Sequence, residues 1–154
     1  MSRAFVRESD TDPGELPELP VSSHPNFVTS RGLAAIEARV RELEGQRQVA
    51  RASDDAPLRA RIERDLRYWN ARRASARPVN PAAAAGRVRF GMRVTLQLDS
   101  GARQSYRLVG EDEAAAAQGL LSWVAPLAQS LLGHEVGDLV PCQGGEAEII
   151  AIEM

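Results

Sequence analysis

Two places in this chain bring reactive side chains together. Asp54 and Asp55 are adjacent carboxylates in a polar break, Ser53-Asp54-Asp55-Ala56-Pro57. Ahead of a proline suited to a first helical turn, such residues cap a helix, because a side-chain oxygen accepts from backbone N–H groups that lack an intrahelical partner. Glu111, Asp112 and Glu113 are consecutive acids behind Gly110, and a run of like charges in a loop reads as a solvated face rather than a catalytic cluster. Cys142 is the only cysteine, and His24 and His134 are the only histidines. A lone thiol excludes an intrachain disulfide and the set lacks zinc-site spacing, so Cys142 reads as structural. No Gly-rich phosphate loop and no nucleophile with a companion base is present, so no independent active site is expected.

The elements that carry these residues follow from hydrophobic spacing. Leu33, Ile36, Val40 and Leu43 recur at 3-4-3, a single helical stripe that weakens at Gly45, with Thr29 or Ser30 as the N-cap and Phe27-Val28 placed as a hydrophobic staple. Leu58, Ile62, Leu66 and Trp69 form a second stripe at 4-4-3, capped by Ser53, Asp54 or Asp55 and ending before Pro78. Each stripe needs the other, so residues 29–79 are predicted to form an antiparallel coiled-coil arm about 33 Å long, at about 1.5 Å per residue. Residues 1–28, with four prolines and five acids, read as a flexible tail whose Phe5 and Val6 are apolar enough to dock. Asn80 to Gly86 reads as a linker.

The remainder, 80–154, reads as strands around one short helix. Arg87 to Leu98 alternates apolar residues and predicts a long strand. Asp99-Ser100-Gly101 turns it into a partner over Gln104 to Val109. Leu120 to Val124 resembles a buried strand, and Pro126 with Gly133 brackets a two-turn helix. Leu139 to Cys142 and Glu146 to Ile152 close the sheet, with Gly144-Gly145 as their turn. The expected class is α+β: a helical hairpin, then a small antiparallel β domain.

Composition sets the remaining bounds. The 154 residues are 44% hydrophobic, with no apolar run of membrane-spanning length and no signal peptide, so a cytoplasmic chain is expected. The net charge of -2 conceals -3 over 1–30, +5 over 31–79 and -4 over 80–154. The basic middle, with twelve Arg, raises direct nucleic-acid or acidic-protein binding as one hypothesis. All 19 basic residues are Arg, which reads as codon bias.

The motifs V-R-F-G, Y-R-L-V-G, S-W-V-A-P-L-A-Q-S-L-L-G and V-G-D, following a helical hairpin and a linker, resemble the GreA/GreB transcript-cleavage factors of bacterial RNA polymerase. The resemblance implies an arm that enters the polymerase secondary channel and an FKBP-like C-terminal domain that docks at the channel rim through a segment including Pro126 and Leu127; Trp123 beside it reads either as an aromatic interface anchor or as a buried ring. Nascent RNA or DNA would be met only indirectly, and no membrane or small-molecule substrate is implied. It further implies that acids at the arm tip, here Asp54 and Asp55, help hold a Mg²⁺ shared with polymerase carboxylates, so that water cleaves a backtracked transcript. The tip here is a reduced form of the family's Gly-Asp and Glu-Asn-Ala motif, the arm is shorter, and position 125 is Ala where the family has Ser. The alternative is a non-cleaving protein of the same fold that occupies the channel or binds another enzyme. Prolyl isomerase activity is not expected, because aromatic residues make up only 5% of the chain.

Overall fold

The computed structural model describes residues 16–81 and 86–154. The expected docking of Phe5 and Val6 lies outside the described residues, as do residues 82–85 at the centre of the linker. Two helices, α1 (Ser30–Ala50) and α2 (Ala56–Ser75), form the hairpin. Thr29 caps α1 by accepting from the Gly32 N–H at 2.9 Å, and Asp55 caps α2 by accepting from the Leu58 N–H at 2.9 Å. The α1 stripe does not fade at Gly45. It continues one turn and a half to Ala50, because Gly45 faces open space and takes no part in the seam. Val40, Leu43, Ala50, Ile62 and Leu66 form the arm's own core, flanked by Leu58 and Trp69.

At the base of the arm, β1 (Phe27–Val28) pairs in parallel with β2 (Arg77–Pro78). The Arg77 N–H donates to the Asn26 carbonyl and the Val79 N–H to the Val28 carbonyl, at 2.8 and 2.9 Å. Phe27-Val28 is thus a strand rather than a staple. The proline at 78 forces the residue before it out of the helical region and leaves its backbone to pair. Asn26 and Val28 are buried, so the last residues of the expected tail belong to the fold.

The C-terminal sheet contains β3 (Arg93–Leu98), β4 (Arg103–Val109), β5 (Leu120–Ser122), β6 (Leu139–Cys142) and β7 (Gly145–Glu153), in the order β5-β4-β3-β7-β6. Three of its pairings are antiparallel, but β4 and β5 run parallel. Two single 3-10 turns, Glu111–Glu113 and Ala116–Gln118, carry the chain back to the end where β4 began. The helix α3 (Pro126–Leu131) lays Ala128 and Leu131 on the sheet, where Val94, Leu96, Leu108, Val140 and Ile149 complete a second core.

The strand expected from Arg87 is shorter than its alternation suggests. Gly91 adopts φ +86, with Pro81 packed against it, and the backbone turns there. Upstream of that turn, Val88 exchanges hydrogen bonds with Gly133 and His134 instead of pairing with β4. The β6–β7 turn is also shifted by one residue. Gln143 and Gly144 hold its two positive-φ positions, and Gly145 opens β7.

Candidate functional site

At the arm tip, Asp55 is committed to capping α2, and its own N–H donates to Ser53 Oγ at 3.1 Å. The Arg59 guanidinium donates to the Ser53 carbonyl and ties the turn to α2. Asp54 is exposed. The tip therefore offers one carboxylate already employed and one at the surface, between Arg51 and Arg59. That donor set does not fit a resident Mg²⁺, which needs near-octahedral oxygen ligation. Among the described residues, no group of three or more His, Cys, Asp or Glu side chains is arranged to hold a metal.

In the C-terminal domain, Pro126 is exposed and Leu127 is half-buried. Together with Ser130, Pro141, Cys142 and Gln143 they line an apolar groove of about 480 Å³. Pro126 opens α3 where its missing N–H costs nothing. Ala125 precedes it without a side-chain cap, so the hydroxyl absent at this position is a missing helix cap. Cys142, which is buried, lines the groove as well.

Trp123 does not face that groove. Its ring packs on Phe27, with centroids 5.1 Å apart, and on His24 at 6.0 Å, while Phe27 also meets Phe90 at 6.1 Å. The structure thus separates Trp123 from Pro126 and Leu127 and places it at the junction between the arm base and the sheet.

The same junction overturns the reading of Glu111-Asp112-Glu113 as a solvated face. Arg72 is only 1% exposed. Its Nε donates to Asp112 Oδ2 at 2.5 Å, and its Nη2 donates to Asn26 Oδ1 at 2.8 Å. Asn26 returns the contact, donating through Nδ2 to the Arg72 carbonyl at 2.8 Å. Tyr68, one turn before Arg72, donates its hydroxyl to the other Asp112 oxygen at 2.6 Å. Glu111 lies 3.7 Å from Arg72. Burial, and then the hydrogen bond to Asp112, push the Tyr68 hydroxyl up to about 12. Thr29 Oγ1 donates to Glu113 at 2.6 Å, so this loop supplies the negative charge that the first turn of α1 lacks in its own sequence. The sequence signal for this cluster was the Tyr68/Arg72 spacing of four beside the α2 stripe, which sets both on one helical face. Its partners, forty residues and more away, carried no signal.

The Arg residues of the hairpin do not form an unbroken free stripe. Arg72 is buried, and Arg39, Arg47, Arg64 and Arg67 pair with Glu42, Glu63, Asp65 and Glu18. Among the described residues, no helix is long and apolar enough to cross a membrane.

Comparison with known proteins identifies relatives of this chain. Residues 83–154 match the family described as transcription elongation factor, GreA/GreB, C-term. The chain is 42% identical over 98 residues to transcription elongation factor GreA of Alkalilimnicola ehrlichii, a match covering 60% of this chain and 62% of that protein. It is 30% identical to transcription elongation factor GreA of Ruegeria pomeroyi, over 82% of this chain and 96% of the relative. A solved structure, prokaryotic transcription elongation factor GreA/GreB from Nitrosomonas europaea, is 20% identical and aligns with a TM-score of 0.42 over 85% of this chain and 99% of its own. A match that runs through nearly the whole of the Ruegeria pomeroyi protein includes the arm as well as the sheet, and on that ground the chain belongs to the GreA/GreB family of transcription elongation factors.

Proposed function

We propose that this protein regulates transcript elongation by binding RNA polymerase near the secondary channel, with the C-terminal domain on the channel rim and the arm directed inward. The observation that carries this reading is the union of two parts in one chain. One is a stiff helical hairpin with its own core, about 30 Å long at about 1.5 Å per residue. The other is a family-matched domain with the exposed Pro126 at the lip of an apolar groove. Pro126 and Leu127 form the docking contact, and Trp123 supports it indirectly by holding the junction. Contact with nascent RNA or DNA is secondary to contact with polymerase.

Of the two modes open to such an arm, the tip chemistry supports channel occupancy over stimulated cleavage. Asp55 is spent on capping α2, and Asp54 alone would be left to share a Mg²⁺ with polymerase carboxylates. The test is transcript cleavage in backtracked elongation complexes, run beside a polymerase-binding assay. Binding without added cleavage is expected, weakened by Pro126→Ala. Stimulated cleavage that disappears in the Asp54→Ala, Asp55→Ala double variant would overturn occupancy and establish the tip as a metal-sharing site. Unchanged affinity in Pro126→Ala would remove the groove as the docking contact.

A further inference from the structure

The arm and the sheet have separate hydrophobic cores, and residues of neither core cross to the other. Beside the aromatic contacts of Phe27 with Phe90 and Trp123, a polar cluster joins them. Arg72 and Tyr68 on α2 grip both oxygens of Asp112, Asn26 clamps Arg72 from the N-terminal side, and Glu113 meets Thr29 at the start of α1. The loop reaches this position because two glycines allow close approach. A side chain at Gly110 would strike the Phe27 carbonyl, and one at Gly32 would strike the Glu113 carboxylate.

From this arrangement we infer that Arg72, Tyr68 and Asp112 are positioning residues that fix the direction of the arm relative to the docking domain. Hydrophobic contacts are non-directional, and a small apolar contact such as Phe27 on Trp123 tolerates rotation. A guanidinium and a phenol bound to two oxygens of one carboxylate do not, since hydrogen bonds weaken steeply with angle. Desolvation of Arg72 makes the bound orientation still more exclusive, because turning the arm would leave a buried charge unpaired. The lever is long. The tip lies about 24 Å from Arg72, taking the sixteen residues from Ala56 at about 1.5 Å each, so a small change of angle at the base moves Asp54 by several ångströms.

This inference rests on the proposed function only for its consequence at polymerase, and it is testable without polymerase. In the full chain with Cys142→Ala, spin labels are placed on cysteines introduced at the exposed Ala52 and Ser100, and the distance distribution is measured. The parent should give one narrow distribution, and Arg72→Met a broad or shifted one while circular dichroism shows the helices retained. Arg72→Lys, whose ammonium still reaches Asp112, should restore the parent's mean distance. A distribution for Arg72→Met as narrow as the parent's, and at the same distance, would overturn the inference. Should Arg72→Met fail to fold, Asp112→Asn is read by the same criterion. With RNA polymerase, Arg72→Met should keep the parent's affinity, because the groove is untouched, and lose the effect on elongation. Equal effects of the two proteins would overturn the positioning role at polymerase. Failure of the parent itself to bind would instead overturn the functional reading and leave the distance result standing.

Discussion

Two acidic turns of similar composition have opposite fates in this molecule. Asp54 and Asp55 stand at the far end of the arm, where water surrounds them and their only structural work is one helix cap. Glu111, Asp112 and Glu113 stand at the near end, where a buried arginine, a tyrosine hydroxyl and a threonine hydroxyl meet them. The number of carboxylates does not distinguish the turns. What differs is the surface opposite: open solvent at one, and at the other a helical face that carries the buried Arg72 and the half-buried Tyr68. A carboxylate's role is set by the partner that desolvates with it, so the loop that resembled a solvated face holds the two halves of the molecule together.

The sharpest way to break this contrast is to neutralise one acid at each end. Asp112→Ala takes from the buried Arg72 the carboxylate bonded to its Nε, leaves only the Glu111 contact at 3.7 Å, and should cost about 3 kcal/mol of stability, measured by denaturant unfolding. A loss near zero would mean that Arg72 reaches solvent without difficulty and that the turns are energetically alike. Tyr68 sharpens the point through pH. Its hydroxyl titrates near 10 when unfolded and is raised to about 12 in the fold. The neutral phenol is the form the folded state favours, so its contribution is fully present below pH 10 and is lost as the pH climbs from 10 towards 12. Tyr68→Phe should remove that alkaline step and cost about 1.5 kcal/mol at neutral pH, as expected for one hydrogen bond to a charged acceptor.

At the tip the effects should be smaller. Asp55→Ala removes the α2 cap and should cost about 1 kcal/mol. Asp54→Ala should change stability by no more than about 0.5 kcal/mol, as for an exposed residue without a structural partner. A larger loss at Asp54 than at Asp55 would show that the cap is misassigned. Ala125→Ser, which offers α3 the cap it lacks, should raise stability by roughly 0.5–1 kcal/mol. No change would mean that Pro126 alone sets the start of α3.

Local pattern made much of this architecture legible. The 3-4 spacing of apolar residues put Val40 and Leu43 against Ile62 and Leu66, and the structure packs them together. Pro57, Pro78, Pro126 and Gly133 marked helix ends, because a ring without an N–H and a residue tolerant of positive φ act within a turn or two of themselves. Where alternation was read alone it overreached. Val88 to Phe90 alternate as a strand does, yet Gly91 turns the chain, and Phe90 packs on Phe27 instead of continuing the ladder.

The sequence by itself determined the two helices, their seam, the strand-rich C-terminal half and the groove helix behind Pro126. All of these arise from forces that act over a few residues or repeat along a single element. The tertiary structure alone decided which acids matter. Arg72 lies 40 residues from Asp112 and 46 from Asn26, and no periodicity links side chains that meet only when the arm closes on the sheet. The parallel pairing of β4 with β5 and the turning of Trp123 away from the groove were decided in the same way. A buried charge must find its partner wherever the fold brings one, and that requirement is non-local.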